Sequence, residues 1–237
     1  MVPFAGYYMP VQYSEGIKSE YQTIRNNVGM FDVSHMGEIE ISGKNAELFL
    51  QKLTINDVTQ LYNGKAQYSA MCRENGGIID DLILYKFENK YIMVVNASNL
   101  EKNWNWLNNN LISEVNLKNL SNVTSLIAIQ GPKSRNILSE LFPEIIDLKF
   151  YHAIEITYNN EKLMISRTGY TGELGYEIYG SGDSIKSIWK RLLEKDVKPC
   201  GLGVRDVLRM EMKYCLYGND IDETTHPLEA GLGWITN

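Results

Sequence analysis

The spacing of apolar and polar positions changes period repeatedly along the chain, and each change marks an element. Residues 14–28 read as a helix stopped by Gly29. "EIEIS" (38–42) alternates as a strand, and residues 45–53 read as a short amphipathic helix with Leu48, Phe49 and Leu53 on one stripe. "AQYSAMC" and "GIIDDLILYKF" flank Glu74-Asn75-Gly76-Gly77, a hairpin signal. "YIMVV" is a further strand, and Ser98 with Glu101 has the spacing of a capping box that opens a helix. "SLIAIQ" reads as a buried strand, with Gly131-Pro132 starting a helix that runs to Leu141. "KLMIS" and "GYEIYG" are strands around a glycine-rich loop. Asp183 caps a helix carrying Ile185, Ile188, Trp189, Leu192 and Leu193, and a last helix covers about 203–216. Hairpins mixed with helices, rather than strict βαβ repeats, predict an α+β fold with mixed or antiparallel sheets.

One strand breaks its own pattern. In "NGGIIDDLILYK" (75–86), alternation puts Ile79, Asp81, Ile83 and Tyr85 on one face and Ile78, Asp80, Leu82 and Leu84 on the other. Both faces are otherwise apolar, so at least one carboxylate occupies a hydrophobic position. Burying an unpaired charge costs several kcal/mol, comparable with the stability of a whole domain. The bland alternative has one acid facing solvent and the other capping the turn.

Composition narrows the function classes. The chain has 237 residues, 44% hydrophobic and 22% charged, with a net charge of −6. The acidic balance argues against a nucleic-acid binder. Cys72, Cys200 and Cys215 are odd in number and lack metal-ligand spacing, as do the scattered His35, His152 and His226, so no metal site is expected. No apolar run approaches the roughly 18 residues that span a bilayer, and no secretory signal is visible.

Other stretches carry candidate chemistry. "SRTGYTGELGYE" (166–177) is neither a Walker loop nor a dinucleotide fingerprint, because no Gly-Lys-Ser/Thr follows and a strand stands where a helix is required. Its glycines allow close backbone approach, either of a flat ligand or between strands. Glu177 lies among aromatic and apolar residues, where a carboxylate accepts two parallel hydrogen bonds from an amidine-like ring edge, or pairs with an arginine. Arg205 falls in the first turn of a helix, where a cation opposes the dipole, so it reads as a ligand contact or a carboxylate partner. His35 lacks a companion nucleophile and reads as a satisfied, partly buried histidine.

The segments "FAGYYMP", "VGMFDVSHMGE", "ENGGIIDDLILYK", "VVNASNLEK", "IAIQGP", "SRTGYTGELGYE", "GLGVRDVLRMEMKYCLYGNDI" and "HPLEAGLGW" span nearly the whole chain. In this order they resemble the T-protein family, the aminomethyltransferases of the glycine cleavage system. The resemblance implies a tetrahydrofolate-dependent enzyme that takes the aminomethyl group from the lipoyl arm of H-protein, releases ammonia and forms 5,10-methylenetetrahydrofolate. It also implies a T-protein-like fold of two interleaved α+β domains, here residues 1–41 with 140–237 and residues 42–139, followed by a C-terminal β-barrel. The chain stops near Trp234, before such a barrel, and reads as a fragment.

Carried over by motif, Asp81 is the acid at the reacting nitrogens of folate and Glu177 the pterin-holding carboxylate. Arg205 and Tyr214 match ligand contacts, and Tyr68, Met36, Val95, Asn96 and Tyr170 match other channel-lining positions. The implied partners are tetrahydrofolate and lipoylated H-protein, without nucleic acid, membrane or metal. The implied compartment is the bacterial cytoplasm, or the mitochondrial matrix in a eukaryote. The same fold occurs in folate-dependent demethylases of small methylated substrates. It also occurs in non-catalytic folate-binding proteins of iron–sulfur assembly, whose Lys-Gly-Cys-Tyr-type motif is absent here. The Asp80-Asp81 pair favours aminomethyl transfer over demethylation.

Overall fold

The computed structural model describes residues 1–236. In chain order the elements are β1 (Val2–Phe4), β2 (Tyr7–Met9), α1 (Ile17–Asn26), β3 (Gly29–Asp32), β4 (Gly37–Ser42), α2 (Ala46–Leu53), β5 (Ala66–Cys72), β6 (Ile78–Phe87), β7 (Lys90–Val95), α3 (Leu100–Asn109), β8 (Asn116–Asn119), β9 (Ser125–Gln130), α4 (Ser134–Ser139), β10 (Ala153–Tyr158), β11 (Glu161–Ser166), β12 (Gly175–Gly180), α5 (Gly182–Glu194), β13 (Lys198–Pro199) and α6 (Leu202–Glu211). The fold is α+β, as the pattern predicts.

The chain divides into two compact units, both discontinuous: Met1–His35 with Val123–Tyr214, and Met36–Asn122 with Cys215–Asn237. This differs from the division expected from sequence, and hydrogen bonding gives the reason. Strand β9 pairs with both β3 and β12, which ties it to the first unit. The segment after Tyr214 joins the second unit, where the Ile78 N–H donates to the carbonyls of Asp222 and Thr225.

The first unit holds a sheet of order β10-β11-β12-β9-β3-β13, antiparallel except for the β13–β3 pair. Its core joins Met30, Ile127, Ile129, Ile165, Tyr176 and Ile178 of the sheet to Leu138 of α4 and Ile185, Ile188 and Leu192 of α5. The second unit holds an antiparallel sheet of order β5-β6-β7-β4-β8. Its main core packs Ile39, Ile41, Leu82, Leu84, Met93 and Val95 against Phe49 and Leu50 of α2 and Leu107 of α3. A second cluster joins Ala70 and Ile78 to Ile221, Leu232 and Ile235.

Several local expectations are corrected. Leu48 is exposed, and Ala46, Phe49 and Leu50 are the buried face of α2. The capping box does not form: Ser98 lies in a 3-10 turn and Asn99 precedes α3. The cap of α5 is Ser181, whose hydroxyl accepts from the Ser184 N–H, so Asp183 is inside the first turn. Both α4 and α6 are shorter than expected, and Gly233–Ile235 form a 3-10 turn.

Strand β6 also departs from strict alternation. The register with β5 passes from Cys72↔Ile78 to Met71↔Asp80, leaving Ile79 as the extra residue of a β-bulge. Ile79 therefore packs into the helix-side core with Leu82 and Leu84, and Ile78 packs with Ala70 in the smaller cluster. From Asp80 onward alternation resumes, so Asp80 points to the helices and Asp81 to the opposite face.

Candidate functional site

Two clusters gather the chemistry-bearing residues, one in each unit. In the second unit they centre on the acid pair. Asp80 is fully buried under α3. Its Oδ1 accepts from Asn96 Nδ2 at 2.8 Å and Asn99 Nδ2 at 2.6 Å; its Oδ2 accepts from the Asn96 N–H at 3.1 Å and Asn103 Nδ2 at 2.6 Å. Asp81 is half-buried. It accepts from Asn96 Nδ2 at 2.8 Å and from the Tyr68 hydroxyl at 3.0 Å. Trp234, 70% exposed, stacks on Tyr68 with ring centroids 5.8 Å apart. Burial, and then the neighbouring Asp81 charge, push Asp80 up to about 7. Loss of solvent also raises Asp81, against the bonds from Tyr68 and Asn96.

In the first unit, Glu177 sits in β12 opposite Ala128 and Ser166, and its carboxylate is buried. It accepts a short hydrogen bond from the Thr168 hydroxyl and a longer one, 3.5 Å, from Tyr179. Burial raises its proton affinity, opposed by Thr168 and by the charge of Arg205. Arg205 is in the first turns of α6. Its guanidinium lies over the Tyr170 ring at 4.9 Å and over Phe31 at 6.0 Å. Its Nη1 is buried and makes no hydrogen bond among the described residues. Tyr170 in turn stacks on Tyr214 at 5.8 Å. Tyr151 feels both Tyr214 and Glu177, although burial is the largest influence on its hydroxyl, which it raises.

This cluster is a carboxylate and a guanidinium within aromatic walls, with unused donor capacity. An orphaned buried N–H costs about 1–3 kcal/mol or more, which a bound acceptor would offset. Flat rings carrying adjacent donors and acceptors suit it.

The sequence-derived site residues are thus placed unevenly. Glu177, Arg205, Tyr170 and Tyr214 come together in the first unit. Asp81, Tyr68 and Asn96 come together in the second, with the Asn96 amide engaged by the two carboxylates. Met36 is partly buried between β3 and β4. Val95 is fully buried in the helix-side core, on the face away from Asp81. The glycine-rich loop follows its bland reading: a Cβ at Gly169 or Gly175 would lie 2.1 or 2.3 Å from the Gln130 side chain, so the close approach is to the protein itself. His35 is buried and neutral, pushed down to about 4 by desolvation and then by Arg205, and its Nδ1 has no partner. It is therefore not the satisfied histidine expected.

Sequence reading missed Phe31, Tyr151, Thr168, Tyr179, Asn99, Asn103 and Trp234. Asn103 had a usable signal, because it occupies the stripe of α3 that also buries Leu107. The others are ordinary core or loop types whose roles arise from neighbours distant in sequence. Among the described residues, no group of three or more His, Cys, Asp and Glu is placed to hold a metal ion, and no helix is long and apolar enough to cross a membrane.

Comparison with known proteins supplies the remaining context. The aminomethyltransferase of Flavobacterium psychrophilum is 49% identical over 243 residues, covering 100% of this chain and 67% of that protein. That of Halothermothrix orenii is 50% identical over 240 residues, covering 99% and 67%. The crystal structure of glycine cleavage system aminomethyltransferase T from Bartonella henselae superposes with a TM-score of 0.93 at 34% identity, covering 100% of this chain and 65% of that one. This chain therefore spans about two thirds of the length of these relatives. The model described as the GCVT N-terminal domain matches residues 1–237. On these findings the chain belongs to the GCVT N-terminal domain family, alongside relatives named as aminomethyltransferases.

Proposed function

We propose that this protein takes part in tetrahydrofolate-dependent aminomethyl transfer, accepting the group from the lipoyl arm of H-protein in glycine cleavage. Tetrahydrofolate is the acceptor, which gives up two N–H protons as ammonia and a thiol are released and the 5,10-methylene bridge forms. The observation that carries the reading is the Glu177–Arg205 cluster, with its buried carboxylate, its orphaned guanidinium nitrogen and its aromatic walls. Glu177 would accept two hydrogen bonds from the pterin edge, and Arg205 would supply a donor beside it. Tyr170 and Tyr214 would cover the flat ring.

Asp81 would orient the nucleophilic nitrogen and stabilise positive charge as it develops, with Tyr68 and Asn96 fixing its carboxylate. The bacterial origin of the relatives supports a cytoplasmic setting for this reading.

Calorimetric titration with tetrahydrofolate tests the assignment. Glu177→Gln keeps the shape but turns a donor toward the ligand's donors, so binding should weaken by about 2–5 kcal/mol, as when one side of a buried charged pair is truncated. Wild-type affinity in Glu177→Gln would remove the carboxylate–pterin assignment.

A further inference from the structure

Two consecutive carboxylates that share one amide need a charge account of their own. Among the described residues, every hydrogen bond to Asp80 comes from a neutral asparagine: three side-chain amides and one backbone N–H. The single nitrogen Asn96 Nδ2 reaches both Asp80 and Asp81 at 2.8 Å. Among the described residues, no lysine or arginine forms an ion pair with either acid. The other titratable groups facing the pair are Tyr68, bonded to Asp81, and Tyr217, which feels the Asp80 charge together with Lys102 and Glu223. Lys102 spends its ammonium on the Tyr217 hydroxyl at 2.7 Å and on Glu223 at 3.3 Å. Neutral amides orient carboxylates but do not cancel two adjacent charges, so such a pair resists double ionisation.

The cage also suits a proton on Asp80. Asn103 Oδ1 is buried without a partner. Turning that amide over would set an acceptor 2.6 Å from Asp80 Oδ2, the length of an O–H···O bond.

We propose that Asp80 and Asp81 act as one acid holding a single shared proton, and that Asp80 is the positioning residue that sets when Asp81 takes up or gives away that proton. The shift of Asp80 to about 7, caused by burial and then by Asp81, agrees with the geometry. The purpose assigned to the pair rests on the transfer reading above. As ammonia departs, the pair gives its proton to the leaving nitrogen; as a folate N–H bond breaks, the pair takes one proton back, so it again holds one.

The test needs no folate. Protein labelled with 13C at the aspartate carboxyl carbons is titrated by NMR as wild type, Asp80→Asn, Asp81→Asn and Asn96→Ser. In wild type one carboxyl of the pair should titrate near neutrality. In each single-acid variant the surviving carboxyl should titrate about one unit or more lower, since its charged neighbour is gone. Asn96→Ser keeps both acids but loses the shared donor, so the midpoint should rise. A purely structural Asp80 would alter melting but leave the Asp81 midpoint where it was, and that result overturns the proposal. If Asp80→Asn does not fold, an unmoved Asp80 midpoint in Asp81→Asn overturns it equally. Failure of the Glu177→Gln titration would strike the folate reading and leave these midpoints untouched.

Discussion

Glu38 shows how much a single residue can cost. It is 1% exposed in β4, and among the described residues neither carboxylate oxygen has a hydrogen-bond partner. Burial pushes its proton affinity up to about 8, so it is mainly neutral at pH 7. The sign follows by linkage. Below the unfolded value both states are protonated and no penalty applies. As pH rises from about 4.5 to about 8, only the unfolded chain gives up its proton, and folded stability is lost. Glu38→Gln should therefore raise stability by about 1–3 kcal/mol at pH 8 and by little at pH 4.5. Thermal melts at both values check this, and a gain independent of pH would mean that the carboxyl does not titrate in this range. At the same scale, the Asp80-Asp81 pair, Glu177 and Arg205 stand out in the sequence because each puts charge in an apolar or electrostatically unfavourable position, whereas the choice of Asp81 within the pair comes only from the resemblance. Val95 and Asn96 were named only by resemblance, and the structure engages both with the protein itself.

The β5–β6 hairpin decides more than its strands suggest. Gly76 holds φ +86°, and a Cβ on Gly77 would sit 1.9 Å from the Glu223 carbonyl oxygen. That carbonyl belongs to the returning segment, whose Asp222 and Thr225 carbonyls accept from the Ile78 N–H. Gly77→Ala should therefore displace the returning segment and destabilise the fold by about 1–3 kcal/mol, the usual range for overpacking. Differential scanning calorimetry together with limited proteolysis would locate the damage, with new cleavage expected between residues 220 and 232. Unchanged proteolysis there would show that the turn can yield without the segment. The hairpin itself was readable from its turn residues and flanking β-formers. Its bulge at Ile79 was not, because "GGII" pairs equally well in either register until a core and a returning segment select one.

At the scale of the whole molecule, the chain folds as two units that each borrow from both halves of the sequence. Removing residues 215–237 takes away Ile221, Leu232 and Ile235, which cover Ala70 and Ile78. Hydrogen exchange in β5 and β6 should then quicken by about tenfold or more, corresponding to roughly 1.4 kcal/mol of lost protection. Strands β9 and β12, paired within the first unit, should retain theirs. Equal loss in both sheets would show that the units open together.

By itself the sequence determined the element types, the α+β class and the charges that a core would not tolerate without purpose. These follow from local periodicity, turn chemistry and the cost of burying charge, all of which act over a few residues. Tertiary structure alone decided that β9 lies between β3 and β12, that Asn96 lies between two carboxylates, and that Arg205 lies over Tyr170 with one nitrogen unpaired. Each of these joins residues distant in sequence or turns a side chain through contacts that no local pattern encodes. The physical reason is that packing and hydrogen-bond satisfaction are settled by which surfaces meet, and several pairings satisfy the same local pattern until the complete core selects among them.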